Sequence, residues 1–227
     1  MKMPLVLLAL VLLTPAVFSA DCPPVTVAKA ALPAPVHLTY DLTTWPQESF
    51  LMAREERFPT AGEFYVTDRG LRNRIPDGVE DKDLIAAKDG VGVASAIVRD
   101  LSLADVRVDC SMAFEAKGAP SVLLRAQLQD GVLGKMYSLV LYDKGLNLWF
   151  FNGEKWAKAA FSQFDVEAGK AHDVRVMMKG KRCWVAVDGD VMLETRELEF
   201  TEAGAIGIWA GEGPCTFGDM RVRYMSR

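Results

Sequence analysis

The sequence predicts an all-β protein built from two packed antiparallel sheets. About a dozen segments alternate between apolar and polar side chains, which is the period of a strand with one buried face. Turn signals separate these segments at intervals of roughly 8–12 residues, a spacing typical of sandwiches and barrels. No segment keeps the helical period over three turns. The 227 residues suffice for one domain with a core of ordinary size.

The first 20 residues have the order of a secretory signal peptide. Lys2 precedes an apolar run from Leu5 to Leu13, and small residues follow up to Ala20. The run is shorter than the roughly 20 apolar residues that a membrane-spanning helix needs. We therefore expect a secreted or periplasmic protein with no membrane span after cleavage. A retained anchor and a lipid on Cys22 are the alternatives, although residues 19–21 do not resemble the usual lipobox.

Residues 21–35 are rich in proline and alanine and are predicted to form a tether, with the folded domain over residues 36–227. The formal net charge is −4, and removing the leader takes away Lys2 and no acid, which leaves −5. This balance argues against nucleic acid as a partner. None of the four cysteines has CxxC spacing, which disfavours zinc, and four cysteines allow three disulfide pairings.

The amino-terminal half of the domain is predicted to contain short strands and one long one. Three short strands are expected at residues 36–40, 63–67 and 71–75, and the last two are joined by a turn at residues 68–70. Residues 52–57 are expected to form a single helical turn at most. A long strand should run from Val98 to Glu115, with Cys110 facing the core.

Three strands between Ser121 and Phe151 are predicted to form the middle of one antiparallel sheet. In the first, Ser121–Leu128, strict alternation places Arg125 and Gln127 opposite the residues that face the core. The second, Met136–Tyr142, is apolar on both faces, so it is either covered twice or lines a groove. The third, Leu146–Phe151, places Asn147 and Trp149 opposite its core-facing residues.

The carboxyl-terminal part is predicted to add further strands at residues 156–161, 171–178, 182–187, 205–210 and 216–224. The strands at 171–178 and 182–187 should form a hairpin, and Asp188-Gly189 makes the next tight turn. If the valines and isoleucines of these strands face the core, Trp184 and Trp209 face outward.

The succession of these strands resembles the concanavalin A-like lectin and glucanase jelly roll, with segments such as DVRVDCSMAFEA, MYSLVLYDKG and GAIGIWAG. More narrowly it resembles the laminin-G-like and 3-keto-disaccharide hydrolase type. Arg125 in APSVLLR matches the arginine of that family's NSGIFLR-like strand, whereas Ser138 and Val140 replace the polar pair of its YEVQILD-like strand. The resemblance covers residues 36–224 and implies a jelly-roll sandwich.

The resemblance also implies a disulfide and, more weakly, a structural calcium ion. In this fold the long strand that carries Cys110 and the closing strand after Cys215 are commonly neighbours, so we expect at least one disulfide, most readily through Cys110. Cys22 in the tether is the expected odd cysteine. Jelly rolls of this type often tie the final strand to the amino-terminal edge through an aspartate, which makes Asp219 the candidate calcium ligand. No other cofactor is expected.

The outward-facing aromatic and polar residues suggest a carbohydrate-binding groove, because sugar rings stack on flat aromatic faces. The candidate site residues are Arg125, Gln127, Tyr142, Asn147, Trp149, Trp184 and Trp209. The partner would be a glycan or glycoconjugate. One alternative is a glycoside hydrolase of the 3-keto-disaccharide type, with Arg125 and Gln127 orienting the substrate, and another is a laminin-G-like protein-interaction domain. The acids of residues 197–202 are not expected to be catalytic, because they fall in a connecting segment.

Overall fold

A computed structural model describes residues 37–224 of the chain. Its strands, in chain order, are β1 (His37–Tyr40), β2 (Phe50–Met52), β3 (Arg54–Glu55), β4 (Phe64–Thr67), β5 (Gly70–Asn73), β6 (Ala94–Val98), β7 (Val106–Phe114), β8 (Ser121–Ala126), β9 (Leu128–Gln129), β10 (Val132–Leu133), β11 (Met136–Tyr142), β12 (Gly145–Phe151), β13 (Trp156–Gln163), β14 (His172–Lys179), β15 (Arg182–Val187), β16 (Asp190–Thr195), β17 (Ala205–Ala210) and β18 (Cys215–Tyr224). The α-helix α1 spans Asp81–Ile85, and 3-10 turns lie at Gln47–Ser49 and Lys88–Gly90.

Two large antiparallel sheets form the body of the protein, which confirms the predicted jelly-roll sandwich. Sheet A has the order β16-β15-β14-β7-β18-β5-β4, with β1 also paired to β18. Sheet B has the order β13-β12-β11-β8-β17-β6-β2. A third, small sheet has the order β3-β10-β9. Strands that are adjacent in a sheet are often far apart in the sequence. For example, β17 lies between β8 and β6.

The core lies between the inner faces of sheets A and B. Strand β7 shows the pattern most simply, since buried and half-buried residues alternate over its nine positions. Val108 and Met112 of β7 face Leu139 and Leu148 of sheet B in one continuous apolar cluster. A second cluster, which includes Leu123, covers the opposite face of sheet B. Sheet B is therefore buried on both faces over part of its area. The sequence of β11, which is apolar on both faces, predicted that this strand is covered twice or lines a groove.

The central prediction of three adjacent antiparallel strands is confirmed. Strand β11 pairs with β8 on one side and with β12 on the other. The hairpin between β14 and β15 and the turn before β5 also form as predicted. The strand limits agree with the expected ones to within a few residues, because period-two alternation identifies both the strands and their inner faces.

Two local predictions were wrong. Residues 52–57, expected as a helical turn, contribute the end of β2 and all of β3, because Met52 pairs with Ala96 and Arg54 pairs with Val132. The expected long strand from Val98 is two strands, since β6 ends at Val98 and β7 begins at Val106. In both places, pairing with a distant strand decides the backbone conformation, and a short window of sequence does not contain that partner.

The predicted leader, the tether and Cys22 lie outside the described residues. Within residues 37–224, no helix is long and apolar enough to cross a membrane. The longest helix there is α1, with five residues.

The predicted disulfide is absent from the described part of the chain, where Cys110, Cys183 and Cys215 are all free and buried. Strands β7 and β18 are neighbours as expected, but the register pairs Cys110 with Met220 and Cys215 with Phe114. The two cysteines are thus four positions apart along the strands, or roughly 13 Å. A disulfide requires Cα atoms within about 7 Å. The prediction that β7 and β18 are neighbours is thus confirmed, but their register keeps Cys110 and Cys215 too far apart for a disulfide.

These three thiols should be unreactive in the folded protein. Burial raises the pKa of Cys110, Cys183 and Cys215 to about 12, so the reactive thiolate is scarce at neutral pH. We expect an alkylating reagent to leave all three unlabelled in native buffer and to label all three in denaturant, as read by peptide mass mapping. Recovery of any two of these three cysteines as a disulfide-linked peptide after non-reducing digestion would contradict the free, buried thiols described above.

Candidate functional site

A cleft of about 440 Å³ lies on the outer face of sheet B. Its floor is formed by residues of β8, β11, β12 and β17 that alternate with core residues. The described lining consists of Glu55, Arg57, Ile85, Lys117, Ala119, Leu123, Met136, Ser138, Val140, Tyr142, Asp143, Asn147, Trp149, Trp156, Trp209 and Glu212. The floor is mainly apolar and aromatic, and the charged residues come from loops and from the small sheet. Such a composition is typical of a small-molecule site.

The register of sheet B places the floor residues in rows that cross the strands. One row consists of Ser95, Trp209, Ser121, Val140, Asn147 and Phe161. The next consists of Ile97, Gly207, Leu123, Ser138, Trp149 and Lys158. Directly opposed residues on one face have Cβ atoms about 5 Å apart. The two rows therefore form one continuous surface.

Four of the seven predicted site residues come together in this cleft. Tyr142 lies on β11, Asn147 and Trp149 lie on β12, and Trp209 lies on β17. Each follows a residue of the core cluster in its strand and therefore points to the opposite face. The alternation of apolar residues was the signal that identified all four.

Arg125 is not on this surface, and the prediction of its face was wrong. Its side chain is 0% exposed and its backbone φ is +51°. The pairing between β8 and β17 shifts register at this point, so β8 carries an extra residue as a β-bulge. The bulge turns Arg125 to the inner side directly after core-facing Leu124. Its guanidinium donates hydrogen bonds to the carbonyl oxygens of Ala104, Phe200 and Gly180, at 2.8, 2.8 and 2.9 Å.

Gln127 and Trp184 also lie outside the cleft. Gln127 follows the bulge, and its Nε2 donates a 2.8 Å hydrogen bond to the carbonyl oxygen of Ala203. Trp184 faces outward as predicted, but it lies on β15 in sheet A, paired with Met177 and Glu194. It is thus on the opposite side of the sandwich from Trp149. Alternation within a strand gives the face of a residue but not the sheet to which the strand belongs.

Additional aromatic residues extend the surface. The ring of Trp156 packs at 5.4 Å from that of Phe151. The Lys158 ammonium lies 4.9 Å from the Trp149 ring centroid and 5.3 Å from that of Phe161, whose side chain is 60% exposed. These contacts place an unbroken aromatic and cationic strip along the edge strand β13. Trp156 and Phe161 were missed as site residues because β13 alternates weakly.

Three buried polar atoms on this face have no hydrogen-bond partner among the described residues: Ser121 Oγ, Asn147 Oδ1 and Trp209 Nε1. Trp209 is only 9% exposed, and both it and Asn147 line the cleft. Leaving a buried donor or acceptor unpaired costs about 1–3 kcal/mol. Native proteins rarely carry this cost without water or a ligand to offset it, so we expect a water molecule or a polar ligand at these atoms.

Charged side chains surround the cleft, mostly as ion pairs. The Arg57 guanidinium donates 2.8 and 3.4 Å hydrogen bonds to the Glu55 carboxylate, which is nearly buried. The Lys117 ammonium lies 3.5 Å from the Asp143 carboxylate. Glu212 is the fifth charged residue of the described lining, and neither a hydrogen bond nor an ion pair of its side chain is present within the described chain.

Glu212 is an exposed residue of the cleft lining with an unfavourable backbone conformation. Partial shielding of its carboxyl from water raises the pKa of that group, and the Arg57 guanidinium offsets part of this rise. Its backbone φ is +61°, in the left-handed region that costs a residue with a Cβ roughly 1–2 kcal/mol. The flanking Gly211 packs against the Trp209 ring, because a Cβ added to Gly211 would overlap that ring. Strand periodicity could not identify Glu212, although the Gly211-Glu212-Gly213 order does indicate a tight turn.

The other acids considered from the sequence lie elsewhere. Glu197, Glu199 and Glu202 are exposed, and none lines the cleft. Asp219 lies on sheet A, 3.7 Å from the Arg221 guanidinium. No group of three metal-ligating side chains occurs between residues 37 and 224. Asp219 shares a cleft on the outer face of sheet A with Asp109, Asp173 and Asp188, and a calcium ion at Asp219 stays a prediction.

Comparisons with known proteins agree with this architecture. No family model matches the sequence, and no curated protein matches it. Among solved structures, a protein of unknown function with a galectin-like fold from Bacillus subtilis has a TM-score of 0.60 at 11% identity, with 83% of this chain and 96% of that chain covered. The Crh5 transglycosylase in complex with NAG has a TM-score of 0.56 at 11% identity, with 84% of each chain covered.

A third similar structure is the carbohydrate-binding module CBM66 from Bacillus subtilis, with a TM-score of 0.55, 14% identity, and 69% of this chain and 88% of that chain covered. At such identities the likeness shows the fold alone. The chain therefore has a two-sheet antiparallel jelly-roll sandwich fold of the galectin-like kind.

Proposed function

We propose that this chain is a secreted or periplasmic carbohydrate-binding domain and that the cleft on sheet B is its sugar site. The cleft offers the rings of Trp149, Trp156 and Tyr142 as stacking surfaces. Its volume of about 440 Å³ accommodates a small oligosaccharide portion better than a protein segment. Secretion rests on the predicted signal peptide.

One observation carries the proposal: an unpaired acceptor, Asn147 Oδ1, and an unpaired donor, Trp209 Nε1, lie buried in an aromatic cleft. A sugar hydroxyl both donates and accepts, so a glycan that crosses the three strand spacings between Trp209 and Asn147 can satisfy both atoms while an apolar ring face stacks on an indole. A purely apolar ligand would leave both atoms unsatisfied. This combination supports a sugar over a lipid or an apolar peptide.

The names of two similar structures support the same class of ligand. One is a carbohydrate-binding module and the other is a transglycosylase in complex with NAG. We extend their ligand class to this chain as part of the proposal. The unpaired atoms of the cleft floor are a feature of this chain itself and support the same class.

A glycan array followed by calorimetric titration tests the proposal. For an array hit, we expect Asn147→Leu to weaken binding by about 1 kcal/mol, or roughly fivefold, because it removes one acceptor. The melting temperature should not fall, since the variant also removes an unpaired buried atom. Unchanged affinity in Asn147→Leu, or no hit on a broad array, would contradict the proposal.

The hydrolase and protein-interaction alternatives remain predictions. A hydrolase of the 3-keto-disaccharide type would need its acid within the cleft, where Glu55 and Glu212 are the glutamates of the described lining. Release of reducing sugar from an array hit would favour the hydrolase, and binding without release favours the carbohydrate-binding domain.

A further inference from the structure

We infer that the ligand of this cleft is an extended oligosaccharide of about four linked sugar rings or more, and that it continues over Trp156 into an adjoining hollow. The inference deepens the proposed function and rests on it, because it gives the length and the path of the bound glycan. Three features of the molecule lead to it: the adjoining hollow, a sheet floor that continues into that hollow, and the distance between the tryptophans at the two ends.

The adjoining hollow, called here the second hollow, has a volume of about 390 Å³. Pockets that hold a small ligand or one portion of a larger ligand have volumes of roughly 300–1,000 Å³. Four residues of the described chain line both the cleft and the second hollow: Glu55, Arg57, Met136 and Trp156. The two therefore meet at these side chains, and a bound chain can continue from one into the other.

The register of sheet B continues the floor of the cleft into the second hollow. Beside the row that holds Ser138 and Trp149, the next row on the same face consists of Met136, Phe151 and Trp156. All three of these residues pack against the apolar cluster on the outer face of sheet B. Successive residues on one face of a strand are about 7 Å apart. The surface is therefore unbroken from Trp149 to Trp156.

Trp156 is well placed to bind a sugar ring where the two hollows meet. Its ring centroid lies 5.4 Å from that of Phe151, so the indole is supported from one side. The residue is half-buried, which leaves part of the indole open to a ligand. A side chain that is already held by its neighbour loses little freedom on binding. Beyond it, the exposed carboxylates of Glu56 and Glu154 line the second hollow and can accept hydrogen bonds from sugar hydroxyls.

The distance across the site exceeds the size of one sugar ring. Trp209 lies on β17 and Trp156 on β13, and β8, β11 and β12 lie between these strands. Four strand spacings of about 4.8 Å give a span of roughly 19 Å. A pyranose ring is about as wide as one strand spacing, so about four linked rings are needed to reach from one indole to the other. A disaccharide would leave one of the two hollows empty.

Phe161 marks a different way out of the cleft. It lies at the end of the row that contains Asn147, on the same edge strand as Trp156. Its side chain is 60% exposed, but it does not occur in the described lining of either hollow. The path over Trp156 is therefore favoured, and Phe161 provides a matched control on the same strand.

The test uses a disaccharide and a hexasaccharide cut from the glycan that gives the strongest array signal, each titrated by calorimetry. We expect the hexasaccharide to bind at least about tenfold more tightly, because it gains the aromatic contact at Trp156. In Trp156→Leu, which keeps an apolar side chain against Phe151 but removes the flat ring, this difference should disappear. The affinity of the disaccharide should stay unchanged in that variant, which also shows that its cleft is folded. Phe161→Leu should keep the full difference.

The possible results separate this inference from the proposed function. If the disaccharide binds as tightly as the hexasaccharide and Trp149→Ala weakens both, the cleft is a sugar site and the extended chain is wrong. If the hexasaccharide keeps its advantage in Trp156→Leu, the second hollow is not part of the site and the inference is again overturned. An array without any hit overturns the proposed function, and the inference with it.

Discussion

Replacing Arg125 with methionine should destabilise the protein by about 3 kcal/mol or more, because each buried carbonyl left unpaired costs about 1–3 kcal/mol. The guanidinium is fully buried and holds three carbonyl oxygens, from the segment before β7, the segment before β17 and the β14–β15 turn. Methionine fills much of the volume but donates no hydrogen bond. Arg125, on β8 of sheet B, thus binds the segment before β7 and the β14–β15 turn of sheet A, and no strand pairing connects these two sheets.

Urea unfolding measures this effect through the shift of the midpoint at constant slope. The matched control is Arg221→Met on the outer face of sheet A, where the side chain is 54% exposed and lies 3.7 Å from Asp219. An exposed pair of this kind contributes within about 0.5 kcal/mol. Equal midpoints for the two variants would show that Arg125 does not have the structural role described here.

Alternation in the sequence was enough to find most of the fold and four residues of the cleft. It placed Asn147 and Trp149 on one face of β12 and Trp209 outward on β17, as the structure confirms. It failed at Arg125, because a one-residue bulge reverses the face of every later position and leaves no mark in the hydrophobic pattern. It also placed Trp184 on the same surface as Trp149, because alternation does not show which sheet a strand joins.

The charged part of the site could not be predicted for a different reason. Glu55, Arg57 and Glu212 come from the small sheet and from a turn, where no period relates side-chain direction to sequence. Their positions depend on pairing between distant segments, such as β3 with β10. The absent disulfide has a related cause, because adjacent strands were predicted and their register was not.

Replacing Trp149 with alanine should weaken glycan binding by about 1–3 kcal/mol, or roughly 5- to 150-fold. The indole lies next to Ser138 in the row that also holds Leu123, and it is an aromatic surface of the cleft on which a sugar ring can stack. The main core lies on the other face of β12, and the free energy of unfolding should therefore change little. Glu199→Gln, outside the cleft, should leave binding unchanged.

The most direct test of the account compares Trp149→Ala with Trp184→Ala in calorimetric titrations of the same glycan. Both tryptophans are half-buried and face outward from a strand, but Trp149 lies on sheet B and Trp184 on sheet A. We predict that Trp149→Ala loses at least about fivefold in affinity and that Trp184→Ala binds like the unmodified protein. Normal binding by Trp149→Ala, or loss of binding in Trp184→Ala alone, would contradict a sugar site on sheet B.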